Sequence, residues 1–282
     1  MKDSAVLLID CPDRKGLVAR VSGLLYERGA NILHADQHRD HELGLFFMRV
    51  EWELNGFDVE GFKAVFAPLA HELEMTWKLT ASTERPRVAL LCSQYLHCMA
   101  DLLHRWHTGE LVCDIPVIIS NHREVERLAA YYGVPFEHVP VTAATKGEAE
   151  ARQLELLARN QVELVILARY MQILSSNFVA HYPAGIINVH HSFLPAFTGA
   201  KPYHAAHQRG VKLIGATSHY VTAVLDEGPI IEQDVARISH RDQVEDLVAR
   251  GRDLERMVLS RAVRWHLDRR ILCYGNKTVV FD

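Results

Sequence analysis

Four short, unbroken apolar runs constrain the fold of this chain more than any other feature of its sequence. They are Val88–Leu91, Pro116–Ile119, Leu164–Leu167 and Gly185–Val189, and helical stretches such as Glu124–Tyr132 and Glu148–Arg159 separate them. Continuous apolar strands that alternate with helices are typical of a mostly parallel α/β sheet covered on both faces. Ligands of such sheets bind beyond the carboxyl ends of the strands, so we look for site residues just after these runs.

The first 82 residues show a different pattern. A short apolar run, Ala5–Ile9, is followed by apolar residues at helical spacing over Leu17–Leu25. A strand-like segment at 31–38, an alternating segment at 46–52, a helical pattern over 62–69 and a short run at 75–79 come next. The order β-α-β-β-α-β predicts a ferredoxin-like domain over residues 1–82. The polar segment Ala81–Pro86 is typical of a linker, which leaves residues 86–282 for a second domain.

Composition narrows the classes of function. The 282 residues are 49% hydrophobic and 23% charged, with a formal net charge of −4, so we expect neither a nucleic-acid partner nor a membrane partner. No run approaches the ~20 apolar residues of a membrane span, and the N-terminal apolar run is too short for a signal peptide. Five cysteines without a CxxC pair indicate neither a disulfide framework nor a thiolate zinc site. We therefore expect a cytoplasmic protein.

The 17 histidines are compatible with metal binding, with proton transfer near neutral pH, or with ordinary surface positions. His204 and His207 are three apart in a predicted short helix, where they could hold a metal, although a partly exposed polar face is favoured. His191 should point away from His190, because neighbours on a strand face opposite sides. His219 lies on another apolar strand, and the sequence leaves its participation in a site open.

The segment Gly185–Gly199 holds the densest group of candidate catalytic side chains. Asn188 and His190 are two apart at the end of an apolar strand, so both side chains share one face. An amide that donates to a developing oxyanion, beside an imidazole that moves a proton, can support acyl transfer. Alternatively, the two residues only end a strand and bond the next loop, and their spacing does not decide. Asp226, in the segment Leu225–Pro229, is by pattern a turn former.

Together these residues resemble the active-site motif of the folate-dependent formyl transferases and hydrolases. The likeness spans residues 86–282 and rests on Asn188-x-His190, Ser192–Pro195, Gly199-Ala200 and Asp226-x-Gly228. The resemblance implies a Rossmann-like fold and a catalytic set of Asn188, His190 and Asp226. It also implies a folate pocket lined by Met171, Ile173 and Leu174 on one side and by Val221, Thr222 and Ala223 on the other.

The N-terminal unit is similar to the ACT domain, a ligand-sensing module. The likeness rests on Asp10–Gly16, on the helix that ends at Gly29, and on Asn31-Ile32. It implies amino-acid effectors, methionine and glycine, and assembly of the chain as a homo-oligomer. The candidate effector contacts are Asp10, Asp13, Gly16 and Asn31, which also suit a tight turn between a strand and a helix.

An ACT domain before a formyl transferase-like domain resembles the hydrolytic members of that family. The resemblance implies hydrolysis of 10-formyltetrahydrofolate to tetrahydrofolate and formate, which balances one-carbon pools for purine synthesis, with no metal and no permanently bound cofactor. The segment Leu91–Asp101 contains no glycine that would bring backbone N–H groups to an acceptor phosphate. We also expect no tRNA-binding domain, because the chain continues only briefly after Asp226 and has no basic excess.

Three alternatives stay open at the level of sequence. The first is a transferase that passes the formyl group to a small amine. The second is a non-catalytic regulator in which an ACT sensor adjoins a degenerate folate domain. The third is a metal-dependent hydrolase that uses the many histidines.

Overall fold

The computed structural model describes residues 3–195 and 202–281, which form two compact units. The first unit comprises Met1–Arg85, Arg269–Tyr274 and Val279–Asp282, and the second comprises Pro86–Asp268 and Gly275–Thr278. The chain therefore passes from one unit to the other at the predicted linker. Its last residues, which the sequence analysis assigned to the second domain, are divided between the two.

The first unit contains a four-stranded antiparallel sheet and two helices. Its elements are β1 (Ser4–Pro12), α1 (Leu17–Glu27), β2 (Ile32–Asp40), β3 (Leu45–Glu53), α2 (Val59–Glu72) and β4 (Thr76–Ala81). The strands lie in the order β2-β3-β1-β4, and all their pairings are antiparallel. The predicted βαββαβ order of the ACT fold is confirmed.

Both faces of this sheet are covered within the first unit. Alternate side chains of β1 point to opposite faces, as the period of a strand requires. On one face Leu7 and Ile9 pack with Val21 of α1 and Phe66 of α2. On the other face Val6, Leu8 and Phe47 pack with C-terminal residues. These are Leu272 of β12 (Ile271–Tyr274), Val279 of β13 (Lys277–Val280) and Phe281, which follows β13.

The second unit is built on a seven-stranded sheet in the order β11-β10-β9-β8-β5-β6-β7. Its strands are β5 (Arg87–Cys92), β6 (Asp114–Ser120), β7 (Phe136–His138), β8 (Leu164–Leu167), β9 (Ile186–His190), β10 (Leu213–Tyr220) and β11 (Ile230–Arg237). Strands β5 to β9 are parallel to one another, whereas β10 pairs antiparallel with both β9 and β11. The mostly parallel Rossmann-like sheet is confirmed.

Helices accompany this sheet along the chain. They are α3 (His97–His107), α4 (Glu126–Tyr132), α5 (Lys146–Arg159), α6 (Ser176–Ala180), α7 (Pro202–Arg209) and α8 (Val244–Leu267). None of the helices in the described ranges is long and apolar enough to cross a membrane.

A crevice lies at the edge of the sheet where the order of successive strands reverses, beside β5. Strand β5 is followed along the chain by β6 on one side, while β8 lies on its other side, so the loops after β5 and β8 diverge. Crevices at such switch points are the usual ligand sites of open α/β sheets. The segments after β8 and β9 enter this region.

Candidate active site

A pocket of about 320 Å³ opens beyond the carboxyl ends of β8 and β9. Every catalytic and folate-contacting residue that the sequence analysis proposed lines this one pocket, namely Met171, Ile173, Leu174, Asn188, His190, Val221, Thr222, Ala223 and Asp226. Two further members of the motif, Gly199 and Ala200, lie outside the described residues. The pocket has an apolar slot, which we define as residues 171–174 and 221–223, and a polar end, which we define as Asn188, His190, His219 and Asp226.

Strand pairing brings Asn188 and His219 together. In the antiparallel pair of β9 and β10, His219 lies opposite Asn188. The Asn188 Nδ2 atom is 3.3 Å from His219 Nε2, and His219 Nδ1 is 2.9 Å from the carbonyl oxygen of Tyr220. Because the Nδ1–H donates to that carbonyl, Nε2 holds the lone pair and accepts from the Asn188 amide. The second hydrogen of this amide is left for a ligand in the pocket.

The environment of His219 keeps its imidazole neutral. The side chain is buried, and this burial lowers its pKa, although the hydrogen bond to the Tyr220 carbonyl acts in the opposite direction. The pairing of β10 with β11 is irregular between Ser218 and His219. Such bulges often re-aim side chains beside active sites. His219, whose participation in a site the sequence left open, therefore lies at the polar end of the pocket.

Asp226 reaches the polar end from the loop between β10 and β11. Its φ of 57° lies in the left-handed region, which a short polar residue tolerates better than most. The base of the loop is fixed where Tyr220 N donates to Pro229 O at 2.9 Å. At Gly228 a side chain would collide with the Tyr220 carbonyl oxygen, so only glycine allows this close approach.

Asp226 and His190 form the central contact of the polar end. His190 Nδ1 is 3.2 Å from Asp226 Oδ2. The hydrogen bond from His190 lowers the pKa of Asp226, and partial burial opposes this shift only in part. The carboxylate is therefore ionised at neutral pH. The other ring nitrogen of His190, Nε2, is buried and has no hydrogen-bond partner within residues 3–195 and 202–281, so it is available to a bound molecule.

A second contact of Asp226 leaves a position for water. Asp226 Oδ1 lies 3.7 Å from His219 Nε2, which is too long for a direct hydrogen bond. Both atoms are acceptors, but the one lone pair of His219 Nε2 already accepts from the Asn188 amide. Asp226 Oδ1 is therefore the atom that can accept a hydrogen from a water molecule.

The apolar slot presents hydrophobic side chains to solvent. Met171 and Ile173 are 48% and 59% exposed, which is unusual for large apolar residues that form part of a concave site. The slot is held by its backbone: Met171 N donates to the Ser93 hydroxyl at 3.0 Å, and Val221 N donates to Ile186 O at 2.9 Å. A flat apolar ring can fit between two such fixed segments.

His191 differs from the expectation that it points away from the site. Strand β9 ends at His190, so the alternation of faces does not continue to His191, and its side chain lines the same pocket. Burial lowers the pKa of His191 to about 4, and the positive charge of Arg169 contributes to this shift. The imidazole is neutral at physiological pH.

A buried polar cluster was not foreseen from the sequence. The Glu255 cluster consists of Glu255, His97, Arg169 and Tyr203, and Glu255 is 1% exposed. Its carboxylate is 2.7 Å from His97 Nε2, 2.7 Å from the Tyr203 hydroxyl and 3.4 Å from Arg169 Nε. Burial raises the pKa of Glu255, but the His97 hydrogen bond, the Arg169 charge and the Tyr203 hydroxyl outweigh it, so the net pKa is lowered.

The sequence did contain a signal for this cluster. Glu255 falls on the apolar stripe of α8, between Leu254 and Val258 and four residues after Gly251. A carboxylate at such a position needs buried partners. Gly251 also matters here, because a side chain at this position would collide with the ring of Tyr203.

The described residues offer little support for a metal centre. One group places a potential ligand atom of each member within 4.8 Å of the others, namely His97, Cys98 and Glu255. Burial raises the pKa of Cys98 well above its ordinary value, and Arg169 already supplies positive charge to Glu255. His204 and His207 are both exposed on α7, and no third ligand within the described ranges joins them. The absence of a metal requirement stays a prediction.

The four candidate effector contacts fall into two sets. Asp13 and Gly16 line one shallow surface depression, and Asp13 is paired with Arg39 at 2.6 Å. Asp10 and Asn31 do not line it. Asp10 lies within β1, and Asn31 precedes β2, where its carbonyl accepts from Glu53 N at 3.1 Å. The role of these four residues in binding an effector stays a prediction.

Comparison with known families identifies the class first. The Formyl transferase family model matches residues 86–263, and the ACT domain model matches residues 5–51. Fold, site and family models together define a formyl transferase-type enzyme with an N-terminal ACT domain.

Individual relatives identify the family more closely. A formyltetrahydrofolate deformylase from Synechocystis sp. PCC 6803 is 53% identical over 99% of this chain and 98% of its own length. The crystal structure of a formyltetrahydrofolate deformylase from Pseudomonas syringae pv. tomato superposes with a TM-score of 0.98 at 50% identity and covers 100% of this chain and 95% of that chain. The chain belongs to the formyltetrahydrofolate deformylase family.

A more distant structure matches a smaller part of the chain. Glycinamide ribonucleotide transformylase 1 from Symbiobacterium toebii has a TM-score of 0.66 at 31% identity, and the match covers 73% of this chain and 98% of that chain.

Proposed function

We propose that this chain hydrolyses 10-formyltetrahydrofolate to tetrahydrofolate and formate, with Asn188, His190 and Asp226 as its catalytic residues. The observation that carries the proposal is that one pocket joins an open apolar slot to a polar end with a free amide hydrogen, a free imidazole nitrogen and a carboxylate. The names of the full-length relatives support the substrate.

The apolar slot would bind the pterin ring. Met171, Ile173 and Leu174 face the segment Val221–Ala223, and a planar heterocycle between them would bury apolar surface that is now exposed. This pose places N10 and its formyl group at the polar end.

Asn188 would bind the formyl oxygen. Its amide donates one hydrogen to His219, which fixes the orientation of the group, and the second hydrogen points to the substrate. A hydrogen bond of this kind strengthens as the tetrahedral oxyanion forms, and loss of one such donor typically costs about 10²–10³-fold in kcat.

Water would attack from a position in which it donates a hydrogen bond to Asp226 Oδ1. The Asp226 carboxylate accepts the proton of the water as its oxygen bonds to the formyl carbon. His190, protonated on both nitrogens, then gives the Nε2 proton to N10, and the carbon–N10 bond breaks. The carbonyl re-forms as this bond breaks, the proton of the resulting formic acid moves to the vacant Nε2 of His190, and Asp226 releases its proton to solvent, so formate leaves and the starting state is restored.

The direct test is a formate-release assay on 10-formyltetrahydrofolate without any added amine. Wild type should form formate and tetrahydrofolate in equal amounts, whereas Asn188→Ala should lose most of this turnover. Tyr131→Ala is a matched control, because Tyr131 is 82% exposed on α4, outside the pocket lining. Formation of product only when an amine is supplied would instead favour the transferase, and inactivity of wild type would favour a non-catalytic regulator.

The remaining roles are part of the same proposal. Residues 1–82 would form a regulatory ACT domain that binds methionine or glycine, and the part that begins at residue 86 would catalyse hydrolysis. The match of the ACT model to residues 5–51 supports the first role. Repeating the formate-release assay with each amino acid tests it.

We also propose that the protein is a cytoplasmic homo-oligomer that balances one-carbon pools for purine synthesis. It would require no metal, no permanent cofactor, no nucleic acid and no membrane. The net charge of −4 and the absence of any CxxC pair support this assignment.

A further inference from the structure

Arg169 occupies a backbone position that suits glycine. Its φ is 63°, in the left-handed region where a side chain with a Cβ costs free energy. The residue is also largely buried, so a long charged side chain is held under strain in the interior. Strained residues of this kind concentrate at functional sites, where surrounding contacts hold them in place.

Several contacts hold the Arg169 side chain. Its Nε atom is 3.4 Å from Glu255 Oε2, and its guanidinium carbon is 5.3 Å from the centre of the Tyr95 ring. Glu255 is itself fixed by His97 and Tyr203. The backbone of Arg169 is fixed as well, because its carbonyl accepts from Ser93 N at 3.2 Å. The guanidinium therefore has a defined place beside the pocket that it lines.

Arg169 lines the pocket outside both the apolar slot and the polar end. The apolar slot is the place for folate, and the four residues of the polar end contact one another. The other charged or imidazole side chains in the described lining are Arg169 and His191, and we call this the acceptor side. We assign the approach of a second substrate to this side, because the slot and the polar end are the places for folate and its formyl group.

We propose that Arg169, held by the Glu255 cluster, closes the acceptor side of the pocket and so restricts the attacking nucleophile to water. The inference rests on the proposed hydrolysis and deepens it, since it names the group that sets nucleophile specificity. On this proposal a water molecule that donates to Asp226 Oδ1 reaches the formyl carbon with Arg169 in place, whereas even a small primary amine needs the space of the guanidinium. A fixed positive charge also disfavours an amine that carries a proton.

Removal of this side chain should therefore change the reaction. In Arg169→Gly the nitrogen of a primary amine attacks the formyl carbon, the carbon–N10 bond breaks and N10 takes a proton. The attacking nitrogen loses one proton, and the products are an N-formyl amine and tetrahydrofolate. No oxidant or further co-reactant is needed.

The experiment measures the partition of the formyl group between formate and N-formylglycinamide, with glycinamide as the added amine. Wild type should give almost only formate, and its small ratio of formyl amide to formate is the baseline. Arg169→Gly should raise this ratio by at least ~10-fold. Arg169→Lys, which keeps the charge and most of the length, should stay near wild type. Glu255→Gln weakens the anchor of Arg169 and should give an intermediate ratio.

The outcomes separate this inference from the proposed function. A merely structural role for Arg169 would lower both products together and leave the ratio unchanged, which would overturn the inference. A folded Arg169→Gly variant that forms neither product would also overturn the inference. If Arg169 only closes the acceptor side, the variant should still remove the formyl group from N10. Arg169→Ala repeats the test should the glycine variant fail to fold. If wild type releases no formate, the proposed function itself is wrong.

Discussion

The Asp226→Asn substitution removes one charge from the polar end and changes little else. Asparagine has nearly the same shape, tolerates the left-handed backbone at φ 57°, and its oxygen still accepts a hydrogen bond from His190 Nδ1. The loop should therefore keep its position. What disappears is the negative charge that accepts the proton of water and stabilises protonated His190.

The size of the effect follows from the 3.2 Å separation of His190 Nδ1 and Asp226 Oδ2. Coulomb's law gives about 1.3 kcal/mol at the dielectric constant of water and about 5 kcal/mol at an effective value of 20. Both side chains are mostly buried, at 7% and 14% exposure, so the larger figure is the better guide. Each ~1.4 kcal/mol lost from the transition state is a tenfold loss of rate, so we expect kcat to fall by about 10²–10⁴-fold.

The assay is formate release at saturating 10-formyltetrahydrofolate over a range of pH. The pKa of Asp226 is lowered by its hydrogen bond from His190, so wild type holds the carboxylate ionised throughout the neutral range. The loss in Asp226→Asn should therefore be seen at every pH of the neutral range. Glu227→Gln is the matched control, because it removes the same charge from the next, exposed position. An Asp226→Asn enzyme that keeps kcat within about fivefold of wild type would refute the reasoning.

Three further results are expected. Gly228→Ala forces the loop away from the Tyr220 carbonyl, so it should lower the free energy of unfolding by about 1–3 kcal/mol in denaturant titrations and should also lower kcat. Unchanged stability and kcat would contradict the role given to Gly228. The pKa of His191 is about 4 in the folded protein, against 6.5 for an unperturbed imidazole, so the unfolded chain binds more protons between these values. The free energy of unfolding therefore decreases as pH falls through this window, by about 1.4 kcal/mol per pKa unit. In His191→Gln this decrease should be smaller, as measured by denaturant unfolding at several pH values. Chelators should leave formate release unchanged, whereas activity restored only by added metal would contradict the scheme.

The local sequence pattern predicts most of the fold but not the direction of every strand. Alternation and helical spacing locate the βαββαβ unit and the buried central strands. Strand β10, however, is buried almost throughout, so its pattern matches that of a parallel strand although it pairs antiparallel with β9 and β11. Orientation depends on connections between strands, which short-range periodicity does not encode.

The catalytic residues differ in how visible they are from sequence. Asn188 and His190 share a strand face, so their proximity follows from period two. Asp226 shows only turn chemistry locally, and its meeting with His190 depends on the loop that Gly228 allows. Arg169 and Glu255 lie far apart along the chain, and the contact that joins them is purely tertiary.

The most direct test of the central claim is a single turnover of 10-formyltetrahydrofolate in ¹⁸O-labelled water without any amine. Attack by water on the formyl carbon predicts formate that carries one ¹⁸O atom, in amounts equal to the tetrahydrofolate formed. Asp226→Asn should abolish this labelled product on the same time scale. Tetrahydrofolate formed without labelled formate, or product formed only when an amine is present, would contradict the account.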